Sequence, residues 1–337
     1  MKTVRLLVSA DRPEPATIAK AAAFLEGGGT VAFPTETVYG LGADASDTSA
    51  IQKVFEAKGR PSDNPLIVHI ADLSFLDFLA VSIPVIGRTL AHEFWPGPLT
   101  LILQKTSRVP LAVTAGLDTV AVRMPHHPVA LALIREFGRG VVAPSANISG
   151  RPSPTTAQHV LDDLDGRIEA VLDSGPTLIG VESTVLDVTS VPPTILRKGG
   201  LPREDIERVV GHVLTKPETE ISPRSPGNRY RHYAPRARVI LVAPGDSAGM
   251  AGVLRDVAGT GKKITCVLRT IPDPPPDERV FVRRAPEAIE DFSRVLFDYL
   301  RQCDKSGTDI VIVESVSENG LGAAVMDRLR RASTATS

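Results

Sequence analysis

Short aliphatic, β-branched runs, broken by prolines, glycines, hydroxyls and charged residues, recur from Thr30 to Leu196 and leave few folds open to this chain. Strands are predicted over 30–33, 66–70, 99–103, 119–122, 141–143, 181–188 and 194–196. Helices are predicted between them, over 15–26, from Asp47 or Thr48 to Lys58, and over 73–79, 84–94, 128–137 and 155–161. In the first helix Ile18, Ala22 and Leu25 share a face, and Gly27-Gly28-Gly29 ends it. Such mixing specifies an α/β fold with a twisted, open mixed sheet. Chain order alone does not give the strand order.

The loops between these elements carry the chemistry. In Lys58-Gly59-Arg60-Pro61-Ser62-Asp63-Asn64-Pro65-Leu66-Ile67-Val68-His69 two cations sit two residues apart in a loop stiffened by prolines. A cation pair held at a strand edge suits a polyanion such as a nucleotide triphosphate; a solvated basic turn is the plainer reading. Phe33-Pro34-Thr35-Glu36-Thr37 places a polar turn directly after a buried strand. Thr35 could bind a small polar substrate there, or satisfy its own backbone. Arg123 closes an apolar strand and needs an anion, either a structural carboxylate or a substrate carboxylate. Ala143-Pro144-Ser145-Ala146-Asn147-Ile148-Ser149-Gly150 and Ser153 offer hydroxyls and amides suited to phosphate, without the lysine of a P-loop. Glu182-Ser183-Thr184 and Arg197-Lys198-Gly199-Gly200 repeat the scheme. Together these loops predict one concave site for an anionic ligand and a small polar co-substrate.

Several chemistries find no support. His, Cys and carboxylates show no zinc spacing, and His126-His127 reads as a surface turn. No nucleophile elbow or activated cysteine appears, so positioning and charge stabilisation are favoured over a covalent intermediate. With Lys+Arg 38 against Asp+Glu 39, a basic site must be a local concentration. Cys266 and Cys303 read as buried, reduced thiols of a cytoplasmic protein. No run approaches the ~20 apolar residues of a membrane span.

Residues 216–238 change character. Four prolines and the run Ser225-Pro226-Gly227-Asn228-Arg229-Tyr230-Arg231-His232-Tyr233 suggest a connection that folds over a ligand or interface. Beyond it, strands over 239–242, 264–268, 280–282 and 309–313, with helices over 248–258 and 286–304, form a second, smaller α/β unit without a glycine-rich phosphate fingerprint. Residues 332–337 read as a disordered tail.

These segments, together with Phe94-Trp95-Pro96-Gly97-Pro98-Leu99-Thr100, resemble the YrdC-type domain of threonylcarbamoyl-AMP synthases. The likeness covers 12–208 as the catalytic domain. The linker or lid, 209–237, and the Rossmann-like α/β unit, 238–331, resemble the long two-domain form. The resemblance implies that L-threonine, bicarbonate and ATP yield threonylcarbamoyl-AMP and pyrophosphate, which a downstream transfer complex uses to modify tRNA. It implies a threonine site of Thr35, His69, Arg123, Ser183 and the Ala143 backbone. It implies an ATP site of Lys58, Arg60, Ser62, Thr119, Ser145, Ser153 and Arg197, with Lys58 and Arg60 catalytic. Tyr233 and Tyr230 would close over the nucleotide from the linker, and Mg2+ would bridge its phosphates.

Two rivals stand beside this. A basic concave face could hold RNA through backbone contacts, even if weakly. The carbamoyl-transferring relative of hydrogenase maturation shares the YrdC-type region, but two cysteines cannot build its zinc fingers.

Overall fold

The computed structural model describes residues 2–216, 224, 233–257 and 259–334. They fall into two compact units, one within Met1–Ser149 and Ser153–Tyr230, the other within Gly150–Pro152 and Arg231–Ser337.

The first unit is built on β1 (Val4–Leu7), β2 (Val31–Phe33), β3 (Gly40–Asp44), β4 (Ile67–His69), β5 (Leu99–Gln104), β6 (Thr119–Arg123), β7 (Val141–Val142), β8 (Ala170–Asp173), β9 (Thr184–Asp187), β10 (Thr194–Arg197) and β11 (Leu214–Thr215). They form one mixed sheet in the order β1-β8-β2-β3-β7-β4-β6-β5-β9-β10-β11. Parallel pairs such as β4 with β6 are mixed with antiparallel ones such as β5 with β6. The sheet runs past residue 208, because β11 pairs parallel with β10 after the helix Arg203–Val210. The helix predicted over 73–79 is a 3₁₀ turn, Leu73–Phe75, followed by a short α-helix, Leu76–Leu79. That over 155–161 shifts to Ala157–Leu164, where the Thr156 hydroxyl accepts from His159 N at 3.2 Å.

The two sheet faces are covered unequally. One large core packs Val68, Val120, Val122, Leu101 and Leu186 with the helices Thr48–Lys58 and Val85–Phe94. On the other face, the helices Pro15–Glu26 and Pro128–Phe137 cover Val31, Phe33, Val141, Ala143, Ala170 and Leu172. Farther along that second face, Ile67, Ala121, Ile102, Val185 and Leu196 form an apolar cluster made of strand residues alone. An apolar floor that no described helix joins is where an open α/β sheet can receive a ligand.

In the second unit β12 (Arg238–Val242), β13 (Ile264–Leu268), β14 (Val280–Arg284) and β15 (Ile310–Glu314) form a parallel sheet in the order β12-β15-β13-β14. Its helices are Ser247–Val257, Ile289–Lys305 and Gly322–Thr334. Residues 332–334 therefore belong to a helix, not to a tail. Ala332 is fully buried and continues the apolar stripe of Val325 and Leu329. Both cysteines are buried, as expected, and burial raises each thiol pKa.

Candidate active site

The helix Thr48–Lys58 starts where Asp47 accepts from Ser49 N at 2.8 Å, and ends where Gly59 turns left-handed at φ 58°. Lys58 is thereby its last helical residue and almost fully buried. Its ammonium donates to the carbonyls of Ser145 and of Asn147, the latter at 2.6 Å. Lys58 O accepts from Ser149 N at 2.8 Å. The lysine thus ties down the 145–149 loop from both backbone and side chain. Arg60 staples its own loop, donating to Pro65 O at 2.9 Å and Asn64 O at 3.3 Å. The stiffness expected of this loop is therefore built by cations as well as prolines. Ser62 is exposed on it.

Adjacent strands assemble a polar row. His69 closes β4 and pairs in register with Arg123 at the end of β6. Thr100 lies on β5 one step beyond the Leu101–Val122 pair. Its hydroxyl is 2.8 Å from that of Ser183, just before β9. Arg197, ending β10, donates to Ser183 O at 2.9 Å and to its hydroxyl at 3.1 Å. A Cβ at Gly199 would stand 2.2 Å from the Ser183 carbonyl carbon, so only glycine lets the 197–200 turn approach so closely. His69, Arg123, Thr100 and Arg197, on β4, β6, β5 and β10, and Ser183 at the entrance to β9 thus line one end of the apolar floor. Thr119 sits at the other end of β6, four residues from Arg123, or about 13 Å along the strand. Ala143 spends its N–H on Ile67 O at 3.0 Å. Ser153 donates to the Glu182 carboxylate.

The anion partner of Arg123 within the chain is Glu36, which sequence reasoning passed over as part of a polar turn. Arg123 Nη2 and Glu36 Oε2 are 2.7 Å apart, and both side chains are about 95% buried, with 4% and 5% exposed. The approach lies off the hydrogen-bond direction, and neither Glu36 oxygen has a donor among the described residues. Thr35 is spent on the turn: its hydroxyl donates to Val38 O at 2.7 Å and accepts from the N–H groups of Thr37 and Val38. The Glu36 backbone is fixed too, its carbonyl accepting from Ile179 N at 2.8 Å. The signal that could have found Glu36 is an acidic residue between two hydroxyls immediately after a buried strand.

Burial first, and the Arg123 charge second, push His69 down to about 3. Its ring is neutral near pH 7 and packs edge-on to Phe33, with centroids 6.2 Å apart. His127 is buried, not at the surface: its ring accepts from Val129 N at 3.2 Å and caps the helix Pro128–Phe137. Tyr233 lies in the second unit at φ 66°, stacked on Phe297 with Arg328 4.8 Å from the ring centroid. Tyr230 lies outside the described residues. No described group of three or more His, Cys, Asp or Glu could hold a metal ion, and no described helix is long and apolar enough to cross a membrane.

Comparison with known proteins places this geometry in context. Residues 23–199 match the Sua5/YciO/YrdC family, described as "Telomere recombination". Residues 201–334 match the family described as "Threonylcarbamoyl-AMP synthase, C-terminal domain". The threonylcarbamoyl-AMP synthase of Pyrococcus abyssi is 49% identical over 96% of this chain and 96% of its own. That of Bacillus subtilis is 47% identical over 94% of this chain and 92% of its own. A crystal structure of P. abyssi Sua5 complexed with L-threonine superposes with a TM-score of 0.92 at 48% identity, covering 98% of both chains.

Proposed function

The chain belongs to the threonylcarbamoyl-AMP synthase family, and from that premise we propose that its first unit joins L-threonine, bicarbonate and ATP into threonylcarbamoyl-AMP and pyrophosphate. The observation that carries the reading is the polar row from His69 to Arg197 above an apolar floor that no described helix joins. The threonine ammonium gives up one proton. The amine and bicarbonate then form a carbamate and water, and a carbamate oxygen attacks the α-phosphorus as pyrophosphate leaves.

Two anions must meet in line, so the protein's part is orientation and charge neutralisation. Arg123 holds the threonine carboxylate, with neutral His69, Thr35, Ser183 and the Ala143 backbone lining the amino acid. Lys58, Arg60, Ser62, Thr119, Ser145, Ser153 and Arg197 face ATP, with Lys58 and Arg60 drawing charge off the phosphates. Magnesium arrives with the nucleotide as its phosphate complex. Tyr233 serves as a nucleotide contact, the enzyme is cytoplasmic, and a separate transfer complex carries the product group to tRNA.

Pyrophosphate release from ATP, with threonine and bicarbonate each present or omitted, tests the reading. Release that needs both supports it. Release needing neither indicates a nucleotide hydrolase, and none under any condition, with salt-sensitive RNA affinity, indicates RNA binding instead.

A further inference from the structure

A buried carboxylate without hydrogen-bond donors is costly unless something arrives to satisfy it. Glu36 is such a group, 4% exposed, with both oxygens lacking a donor among the described residues. The turn around it is saturated, since the Thr35 hydroxyl and the Glu36 and Thr37 carbonyls are all engaged. The backbone thus presents a rigid, unsatisfied acceptor beside Arg123.

We propose that Glu36 and Arg123 together recognise an α-amino acid zwitterion, Glu36 taking the ammonium and Arg123 the carboxylate. The inference rests on the threonine reading of the same site. Charge decides which donor Glu36 takes. The protein pair carries one charge of each sign, 2.7 Å apart. A zwitterion carries the same two charges on neighbouring carbons, so crossing them buries no net charge. Were Glu36 to take the β-hydroxyl instead, the ammonium would be left beside the Arg123 guanidinium with no anion. That hydroxyl has neutral partners beyond β6, at Thr100 on β5 and Ser183 at the entrance to β9. Glu36 therefore sets specificity for an amino group at the α-carbon.

Calorimetric binding of L-threonine and of 3-hydroxybutanoate, which lacks only the ammonium, tests this on the full chain. The parent protein is expected to bind threonine at least a hundredfold more tightly. In Glu36→Gln, threonine affinity should fall at least tenfold while 3-hydroxybutanoate affinity holds or rises, because its carboxylate no longer faces another. A merely structural role would weaken both ligands by the same factor, and that result overturns the proposal. So does equal affinity in the parent, which needs no variant to fold. A parent that binds threonine without discrimination defeats this inference alone. A parent that binds no threonine defeats the underlying reading as well.

Discussion

Two buried carboxylates, one in each unit, show how differently a fold can treat the same group. Glu314 ends β15 at the carboxyl edge of the parallel sheet, where open α/β folds commonly hold ligands. It accepts from the N–H groups of Gly245, Arg269, Thr270 and Ile271 at 2.6 to 3.1 Å, and from the Thr270 hydroxyl. These bonds outweigh the cost of burial and hold its pKa down, to about 2. The second unit thus fills its own anion-binding nest with its own side chain. Glu36 has an ion-pair partner but no well-aligned donor among the described residues. A saturated carboxylate locks loops together; an unsaturated one waits for a ligand.

The sharpest way to break this contrast is Arg123→Ala, which leaves Glu36 buried without its countercharge and a bound carboxylate without its partner. The threonine requirement should rise steeply, by about 2–5 kcal/mol in apparent affinity. Unchanged threonine dependence of pyrophosphate release would return Arg123 to a structural role. Glu314→Gln should act on stability and spare threonine affinity. A carboxylate whose folded pKa lies below its unfolded one stabilises the fold above about 4.5 and loses that contribution as pH falls through about 2. The parent should therefore lose about 3 kcal/mol across that window and the variant much less, as read by denaturant unfolding.

His69 shifts stability with pH in the same direction, but for the opposite reason: burial disfavours its charged form, whereas the bonds to Glu314 favour the charged carboxylate. The folded pKa of His69, about 3, lies below the ordinary 6.5, so the unfolded chain takes up the proton first. Stability should decline as pH falls from 6.5, by about 2 kcal/mol at pH 5. His69→Gln should flatten that slope; an unaltered slope would mean the ring is solvated. The smallest effect belongs to Arg88→Ala, which removes a 2.6 Å pair with Asp77 whose side chains are both more than half exposed. Less than about 1 kcal/mol is expected in a melting curve, a baseline for the buried groups.

Much of this was legible in the residues. The apolar stripe and glycine stop gave the helix Pro15–Glu26, and the β-branched run gave Ile264–Leu268, with the observed bounds. The strands that bear the site were legible as short apolar, β-branched runs with polar residues at their ends. β1 and β8 were missed: each is short, and each becomes a strand only by pairing with a segment distant in sequence. β3 was absent from the predicted strands because its glycines erase the alternation that marks a strand, yet pairing with β2 and β7 fixes it. In the site, residue types named Arg123 as needing an anion and Thr35 as a possible self-satisfying turn. Which carboxylate met the arginine depended on the fold of the sheet, so Glu36 emerged only with its geometry.

The most direct test of the central claim is the identity of the product made from ATP, L-threonine and carbon-13 bicarbonate. Mass spectrometry should find one labelled carbon joining threonine to AMP, together with pyrophosphate. Nucleotide products carrying no threonine and no label would contradict the account.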